Sequence, residues 1–472
     1  MRFFGKMVPA LKKILPPILA VFALLLPALV NGYPLLSHDT ATYLYSGKEG
    51  FMPADRPYYY GLFIRHISMN YSLWFVVVAQ AVFTYGVICL FIKKSLFLKT
   101  EQALITSSAI VIALSLLSSL SDFASNVMAD IFTGLGFLAM ITLLCFKTRP
   151  GETVFLWIIF LFSMVTHLSH VPIYGVTIGF MMVGQFFAKQ ERSLKLFAKP
   201  AIMLASCALF LPGLNLLFFG KFVTSEASYV FIMGKMAQQG VLQRYLAAHC
   251  PDAPPDLCAT IPPDSAKLFV WGPESPVYQL CPSPDTSIEN EQLYTCLRYK
   301  NPIYKQTLLK MLGDKTLRTD MIRMFVADAG REFLLYKIED QFFDSRPKDI
   351  KEGVFSHLAF IFPNEIAQVK KTTQFTGAID FRILNKVILA CLIISALVAL
   401  VLLYLYPRCR ALFVHLLVFL LANAFVCGGL SDVIERYQAR VWWLLPLFTI
   451  VFTLSWLKQR KQGGKAVLIS ES

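Results

Sequence analysis

Residues 37–71 read SHDTATYLYSGKEGFMPADRPYYYGLFIRHISMNY. This polar, aromatic stretch lies between two apolar runs, 12–32 and 72–92, each long enough to cross a bilayer. Asp39 stands just past the first run. Arg56, Pro57 and the tyrosines Tyr58, Tyr59 and Tyr60 follow before the chain turns apolar again. A loop of this composition between two spans makes the chain a membrane protein with charged groups at the lipid–water boundary.

The rest of the chain agrees. Of 472 residues, 56% are hydrophobic and only 16% charged, against about a quarter in soluble domains. The net charge of +14 would suggest nucleic acid in a soluble protein. Here the basic residues flank apolar runs and form no stripe of their own, so nucleic acid is not expected as a partner.

Ten apolar runs read as spans: 12–32, 72–92, 102–121, 131–147, 153–169, 171–188, 200–219, 384–406, 411–429 and 441–457. With the N-terminus inside, the cytoplasmic ends collect Lys93, Lys94 and Lys99; Lys147 and Arg149; Lys189, Arg192, Lys195 and Lys199; Arg408 and Arg410; and Lys458, Arg460, Lys461 and Lys465. The opposite orientation would put all of these outside, against the positive-inside bias. The expectation is a multi-pass protein of the cytoplasmic (inner) membrane with both termini cytoplasmic. The first run is longer than a signal-peptide core and no small-x-small site precedes Tyr33, so it reads as an uncleaved anchor.

The outside segments are then 33–71, 122–130, a turn at 167–171, the long segment 220–383, and 430–440. The fold class is therefore an all-α polytopic membrane protein, with a mainly helical extracytoplasmic domain between helices seven and eight. Its parts are a membrane domain at 1–219, the extracytoplasmic domain at 220–383 and a membrane domain at 384–472.

The long segment holds Cys250, Cys258, Cys281 and Cys296, and the other six cysteines lie in or beside spans. Four thiols among Pro-rich loops outside the cytoplasm read as two disulfides. Zinc is disfavoured because no CxxC pair is present. Loop closure alone favours pairing neighbours, Cys250 with Cys258 and Cys281 with Cys296. Farther on, the spacing of apolar residues predicts an amphipathic helix from Met321 to Phe343, at the membrane surface or in a bundle core.

Charged and titratable groups gather on the outside face. They are His38 and Asp39; Asp122 and Asp130; His167 and His170 in THLSH; and Asp432, Glu435, Arg436, Tyr437 and Arg440. Charge at membrane depth is costly and by default marks function; Asp122 and Asp432 read instead as loop ends. Transfer of a sugar from a lipid-phosphate donor needs such a set. A carboxylate takes the acceptor's proton, and guanidinium forks neutralise the phosphate, with Arg56, Arg436 and Arg440 as candidates. Tyrosines suit headgroup depth, being apolar at one end and wet at the other. Tyr58, Tyr59 and Tyr437 are accordingly expected in substrate binding. His167 and His170 could act as a base, hold a metal or cap the turn.

The layout resembles the GT-C superfamily of membrane glycosyltransferases, which includes protein O-mannosyltransferases and the aminoarabinose transferases of lipid A. The resemblance rests on His38-Asp39 with Tyr43 in the first outside loop, ADRPYYYGLF leading into the second span, MADIF opening the fourth, and ERYQAR near the end. It covers the first 150 residues well and the last 50 loosely. It implies Asp39 as catalytic base, Asp130 as a second acid, a polyprenyl-phosphate sugar as donor, and a glycan, lipid or protein as acceptor. In some relatives the second acid holds a divalent metal; Asp39 and Asp130 alone do not make such a site. The 220–383 insert departs from the many members that carry their soluble domain at the C-terminus. The chain is also similar to a group of bacterial membrane proteins that share the HLSH turn and a Cys-containing outside segment and have no assigned substrate. Two other classes fit parts of the pattern: a transporter or flippase of a lipid-linked sugar, and a polysaccharide polymerase or ligase. The sequence lacks a phosphate loop and an HExxH zinc motif.

Overall fold

The computed structural model describes residues 2–187, 194–250, 253–259, 264–282, 289–341 and 353–461. Lys189, Arg192, Lys465 and the Phe343 end of the expected amphipathic helix lie outside these. Among the described residues the elements are all helices, joined by turns and one isolated β-bridge.

The chain opens with α1 (Arg2–Leu24). The first apolar run is stepped at Leu25, where a short helix, Leu26–Asn31, takes over with Pro27 in its first turn. The loop 33–71 carries α2 (Thr40–Glu49) and α3 (Tyr59–Ser68). These two cross where Gly47 meets the backbone of Gly61; a side chain at either glycine would strike the other's main chain. Five apolar helices follow: α4 (Trp74–Ser95), α5 (Thr100–Leu117), α6 (Ile131–Cys145), α7 (Pro150–Thr166) and α8 (His170–Phe187).

Helix α6 is apolar all round, and all but its last two residues are buried, as expected of a central helix. Glu152 in the first turn of α7 accepts the Arg149 N–H at 2.9 Å and pairs with Lys93 at 2.9 Å and Lys94 at 2.5 Å. This capping box pins the end of α4 to the start of α7. After α9 (Leu194–Phe219) the chain enters the inserted domain with α10 (Ser228–Gln238), α11 (Glu289–Gly313) and α12 (Lys315–Leu334). It then returns through α13 (Arg382–Leu405), α14 (Arg410–Ala424), a π-turn at Phe425–Gly429, α15 (Glu435–Trp442) and α16 (Leu444–Lys461).

Six helical stretches are long and apolar enough to cross a membrane: Trp74–Ser95, Thr100–Leu117, Ala198–Phe219, Arg382–Leu405, Pro407–Gly429 and Glu435–Lys461. Lys13–Leu24, Ile131–Cys145 and Pro150–Thr166 are apolar but shorter. Arg382–Leu405 turns Ile383, Ile394, Leu397 and Leu400 outward. Such a continuous apolar face is stable only against hydrocarbon or another protein. The chain is a multi-pass helical membrane protein.

The inserted domain has a core of its own, including Met233, Leu242, Phe269, Leu297, Tyr304 and Met321. Disulfides join Cys250 to Cys258 and Cys281 to Cys296, the neighbour pairing expected from loop closure. Two buried ion pairs stiffen it: Lys235–Asp328 at 2.7 Å and Lys300–Asp256 at 3.0 Å. The amphipathic region proves to be α12, which ends at Leu334, with extended chain after it. Its buried side packs on the π-turn, where Gly428 leaves room for Glu332 and the Asp328 carbonyl. Glu332 accepts the Ile434 N–H at 2.9 Å, Glu435 accepts those of Tyr336 and Lys337 at 3.0 and 2.9 Å, and Trp442 donates to the Leu335 carbonyl at 2.8 Å. The inserted domain thereby braces α15.

Candidate functional site

The loop 33–71 is registered on the turn before α6 by backbone bonds. The Leu35 N–H donates to the Ser125 carbonyl and the Val127 N–H to the Leu35 carbonyl, both at 2.9 Å. The Thr40 hydroxyl adds a bond to the Val127 carbonyl at 3.1 Å, and Gln374 clamps both backbone groups of Leu36. These bonds place Asp39, at the start of α2, beside Asp130, at the start of α6.

The arginines arrive from two directions. Arg56 reaches Asp39 at 2.9 Å and turns its other edge to Asp55, at 2.9 Å from Nε and 2.7 Å from Nη2. Arg436 and Arg440 are four apart on α15 and share one face. Arg436 Nη1 stands 2.9 Å from Asp39 and its Nε 3.5 Å from Asp130. Arg440 Nη1 donates to Asp130 at 2.7 Å, and its Nη2 donates to Ser169 at 3.0 Å, Asn423 at 3.1 Å and the Cys427 sulfur at 3.2 Å. Tyr437 lies under both α15 guanidinium groups and Tyr43 under Arg56.

The cluster is buried at one end and open at the other: Asp130 and Arg440 are fully buried and Arg436 is 9% exposed, whereas the Asp39 and Arg56 side chains are each 17% exposed. Burial disfavours an ionised Asp39, but Arg56, Arg436 and His38 outweigh it and hold the carboxyl well below the usual carboxylate range. Arg436 is the under-used member. Its Nε and Nη1, and Asp130 Oδ2, are close enough for ion pairing yet lack a well-directed hydrogen-bond partner among the described residues. Buried donors in that condition are costly unless something completes them.

Asp39, Asp130, Arg56, Arg436, Tyr437 and Arg440 are thus brought together. His38 sits at the rim, 54% exposed in its side chain, bonded through Nδ1 to the Gln341 carbonyl. Tyr58 and Tyr59 turn away: Tyr58 packs on Phe219, and the Tyr59 hydroxyl donates to Asn215 on α9 at 3.0 Å. Tyr60 faces inward instead, edge-on to Tyr43 and bonded to Gln80 at 2.6 Å. Successive residues on a helix point about 100° apart, so three adjacent tyrosines cannot share a face. His167 joins the cluster through Ser169, whereas His170 is buried and fully bonded to Thr133 and Ser163. Asp122 is buried apart, its carboxyl pushed up to about 8 by burial and by Asp340. Asp432 caps its own loop through the Val433 N–H.

Sequence reasoning passed over Asp55, Ser169, Asn423 and Cys427, which orient the arginines. Only Asp55, adjacent to Arg56, carried a local signal. Among the described residues no three His, Cys, Asp or Glu side chains gather as a metal cage. A divalent cation between Asp39 and Asp130 would also face three guanidinium groups. The arrangement suits an anion: forked donors converge on a buried point, with a carboxylate among them that a competing anion would release. Compared with known proteins, the chain matches no family model, no curated protein and no solved structure.

Proposed function

We propose that the protein is a GT-C-like membrane glycosyltransferase. It moves a sugar from a polyprenyl-phosphate carrier to a glycan, lipid or protein acceptor on the extracytoplasmic side. In this reading ten helices span the cytoplasmic membrane, both termini are cytoplasmic, and the disulfide-linked domain lies outside. The observation that carries it is Arg436, set between Asp39 and Asp130 with undirected N–H donors.

The donor's phosphate takes the undirected Nε and Nη1 of Arg436 and the Nη1 of Arg56; both Nη1 atoms face Asp39 in the resting site. Stripped of those partners, Asp39 becomes a stronger base. The acceptor hydroxyl attacks the anomeric carbon as its proton passes to Asp39. The bond from that carbon to the phosphate oxygen breaks, and polyprenyl phosphate leaves with the electron pair. Asp130 holds Arg440 and steers Arg436 without itself exchanging a proton.

The test is transfer from radiolabelled undecaprenyl-phosphate sugars to membrane acceptors by the purified protein. Asp39→Asn should abolish transfer and leave the fold intact. Full activity in that variant removes the base, and movement of intact donor across the membrane without cleavage would favour a flippase.

A further inference from the structure

His167 and His170 are stacked, with ring centroids 5.2 Å apart, and their hydrogen bonds fix opposite tautomers. The Nδ1 atom of His170 lies 2.6 Å from the Ser163 carbonyl, which only accepts, so the ring proton is on Nδ1. Its Nε2 then accepts from the Thr133 hydroxyl at 2.6 Å, and both nitrogens are spent inside the protein.

His167 is the reverse. Its Nδ1 receives the backbone N–H of Ser169 at 3.3 Å and lies 2.8 Å from the Ser169 hydroxyl. The backbone N–H can only donate, so Nδ1 is the acceptor, and the Ser169 hydroxyl, which accepts from Arg440 Nη2 at 3.0 Å, turns its own proton to it. Two donors therefore converge on Nδ1, which must be bare, and the ring proton sits on Nε2. A chain of bonds runs from Asp130 through Arg440 and Ser169 to His167 and ends at its Nε2–H. Nε2 has no hydrogen-bond partner among the described residues, and the ring is half-buried. A second proton on Nδ1 would meet two donors, with the Arg440 guanidinium one hydroxyl away. Arg436, Asp39 and Arg56 lie within electrostatic reach, and His170 is stacked alongside.

A group that can only donate fits an oxygen that can only accept. The non-bridging oxygens of an ionised phosphate are of that kind, whereas sugar hydroxyls need both roles filled. We infer that His167 is a fixed neutral donor whose Nε2–H binds a phosphate oxygen of the ligand held by Arg56 and Arg436. It is neither a base nor a metal ligand. The inference rests on the proposed anion site and assigns that site an uncharged donor.

The experiment uses the full chain in lipid nanodiscs with ring-15N histidine, the His167 signals being assigned by their loss in His167→Gln. His167 should show a protonated Nε2 and a bare Nδ1 unchanged between about pH 5 and 8, where an ordinary imidazole titrates. A proton on Nδ1, or a normal titration, overturns the inference. Undecaprenyl phosphate and inorganic phosphate are then added separately, with binding followed by 31P line width. A shift of the Nε2 signal with the lipid phosphate alone supports recognition of a lipid-borne phosphate. A shift with both supports the donor role with no contribution from the tail. Bound lipid phosphate with an unmoved Nε2 signal overturns the inference and leaves the transferase reading standing; no binding of either probe overturns both. His167→Ala should weaken undecaprenyl phosphate binding about 10-fold or more, the worth of one hydrogen bond to a charged group. His167→Gln, whose amide nitrogen reaches the Nε2 position, should restore most of that loss. Equal loss in both variants counts against a donor role.

Discussion

Arg440 donates to Asp130 across 2.7 Å, and neither side chain touches solvent. The two residues are 310 positions apart in the chain. Their contact fixes α15 against the start of α6, and with it the position of Arg436.

Breaking that pair should be expensive. Asp130→Asn leaves a buried guanidinium without its countercharge, which typically costs about 3–5 kcal/mol. The double variant Asp130→Leu with Arg440→Met should recover much of the loss, since replacing a whole buried pair by apolar groups is often neutral. Thermal unfolding in detergent checks both. Additive losses would mean that the two side chains are not coupled.

Asp39→Asn tests the chemistry of the proposed reading, and its cost in stability, from two arginines left unpaired, is measured separately by thermal unfolding. Removal of a general base lowers turnover by about 10²–10⁴-fold. In the proposed reading Arg56 and Arg436 hold the phosphate in both ground and transition states, so Arg56→Ala and Arg436→Ala should weaken donor binding as well as rate. Steady-state kinetics on a purified lipid-phosphate sugar distinguishes the two patterns.

The pairing of Asp39 also sets an acid limit. Its folded carboxyl ionises well below the ordinary value. Its contribution to stability is therefore complete at neutral pH, and falls only once acid begins to protonate the unfolded carboxyl at about pH 4 and below. Asp39→Asn should flatten that acid limb of the unfolding midpoint.

Glu332 behaves oppositely. Burial pushes its carboxyl up to about 8, against the Ile434 N–H and the Arg440 charge. The folded chain keeps a proton there that the unfolded chain has lost. Stability should therefore fall as pH rises from the ordinary carboxylate range to about 8. Glu332→Gln should abolish that slope while keeping an oxygen for the Ile434 N–H. Unfolding midpoints across the window decide it.

Gly428→Ala tests the brace from the inserted domain. A methyl group there would run into the Glu332 side chain and the Asp328 carbonyl. Overpacking of this kind costs about 1–3 kcal/mol. Because α12 holds α15, donor binding should weaken along with stability. Unchanged binding would free the site from the inserted domain.

Hydropathy alone located the apolar helices, because a chain crossing hydrocarbon must show its length and composition locally. The positions of Asp39, Asp130, Arg436 and Arg440 at the ends of apolar runs were legible for the same reason. Neighbour pairing of the cysteines followed from loop length, which is also local. The four-residue spacing of Arg436 and Arg440 was a readable sign that they act together, once ERYQAR was known to be helical.

Only the tertiary structure decided which charge meets which. Polarity says at what depth a side chain is tolerated and nothing about its partner; the partner depends on how helices rotate and pack. That is why Tyr58 and Tyr59 went to α9 while Tyr60 took the interior, and why His167 joined the cluster while His170 was used up in the core. Ser169, in the turn before α8, and Asn423 and Cys427, one turn apart at the end of α14 and its π-turn, are ordinary residues in the sequence. They became the setting of Arg440 because packing brought α8, α14 and α15 to one point, and a buried guanidinium there required every acceptor within reach.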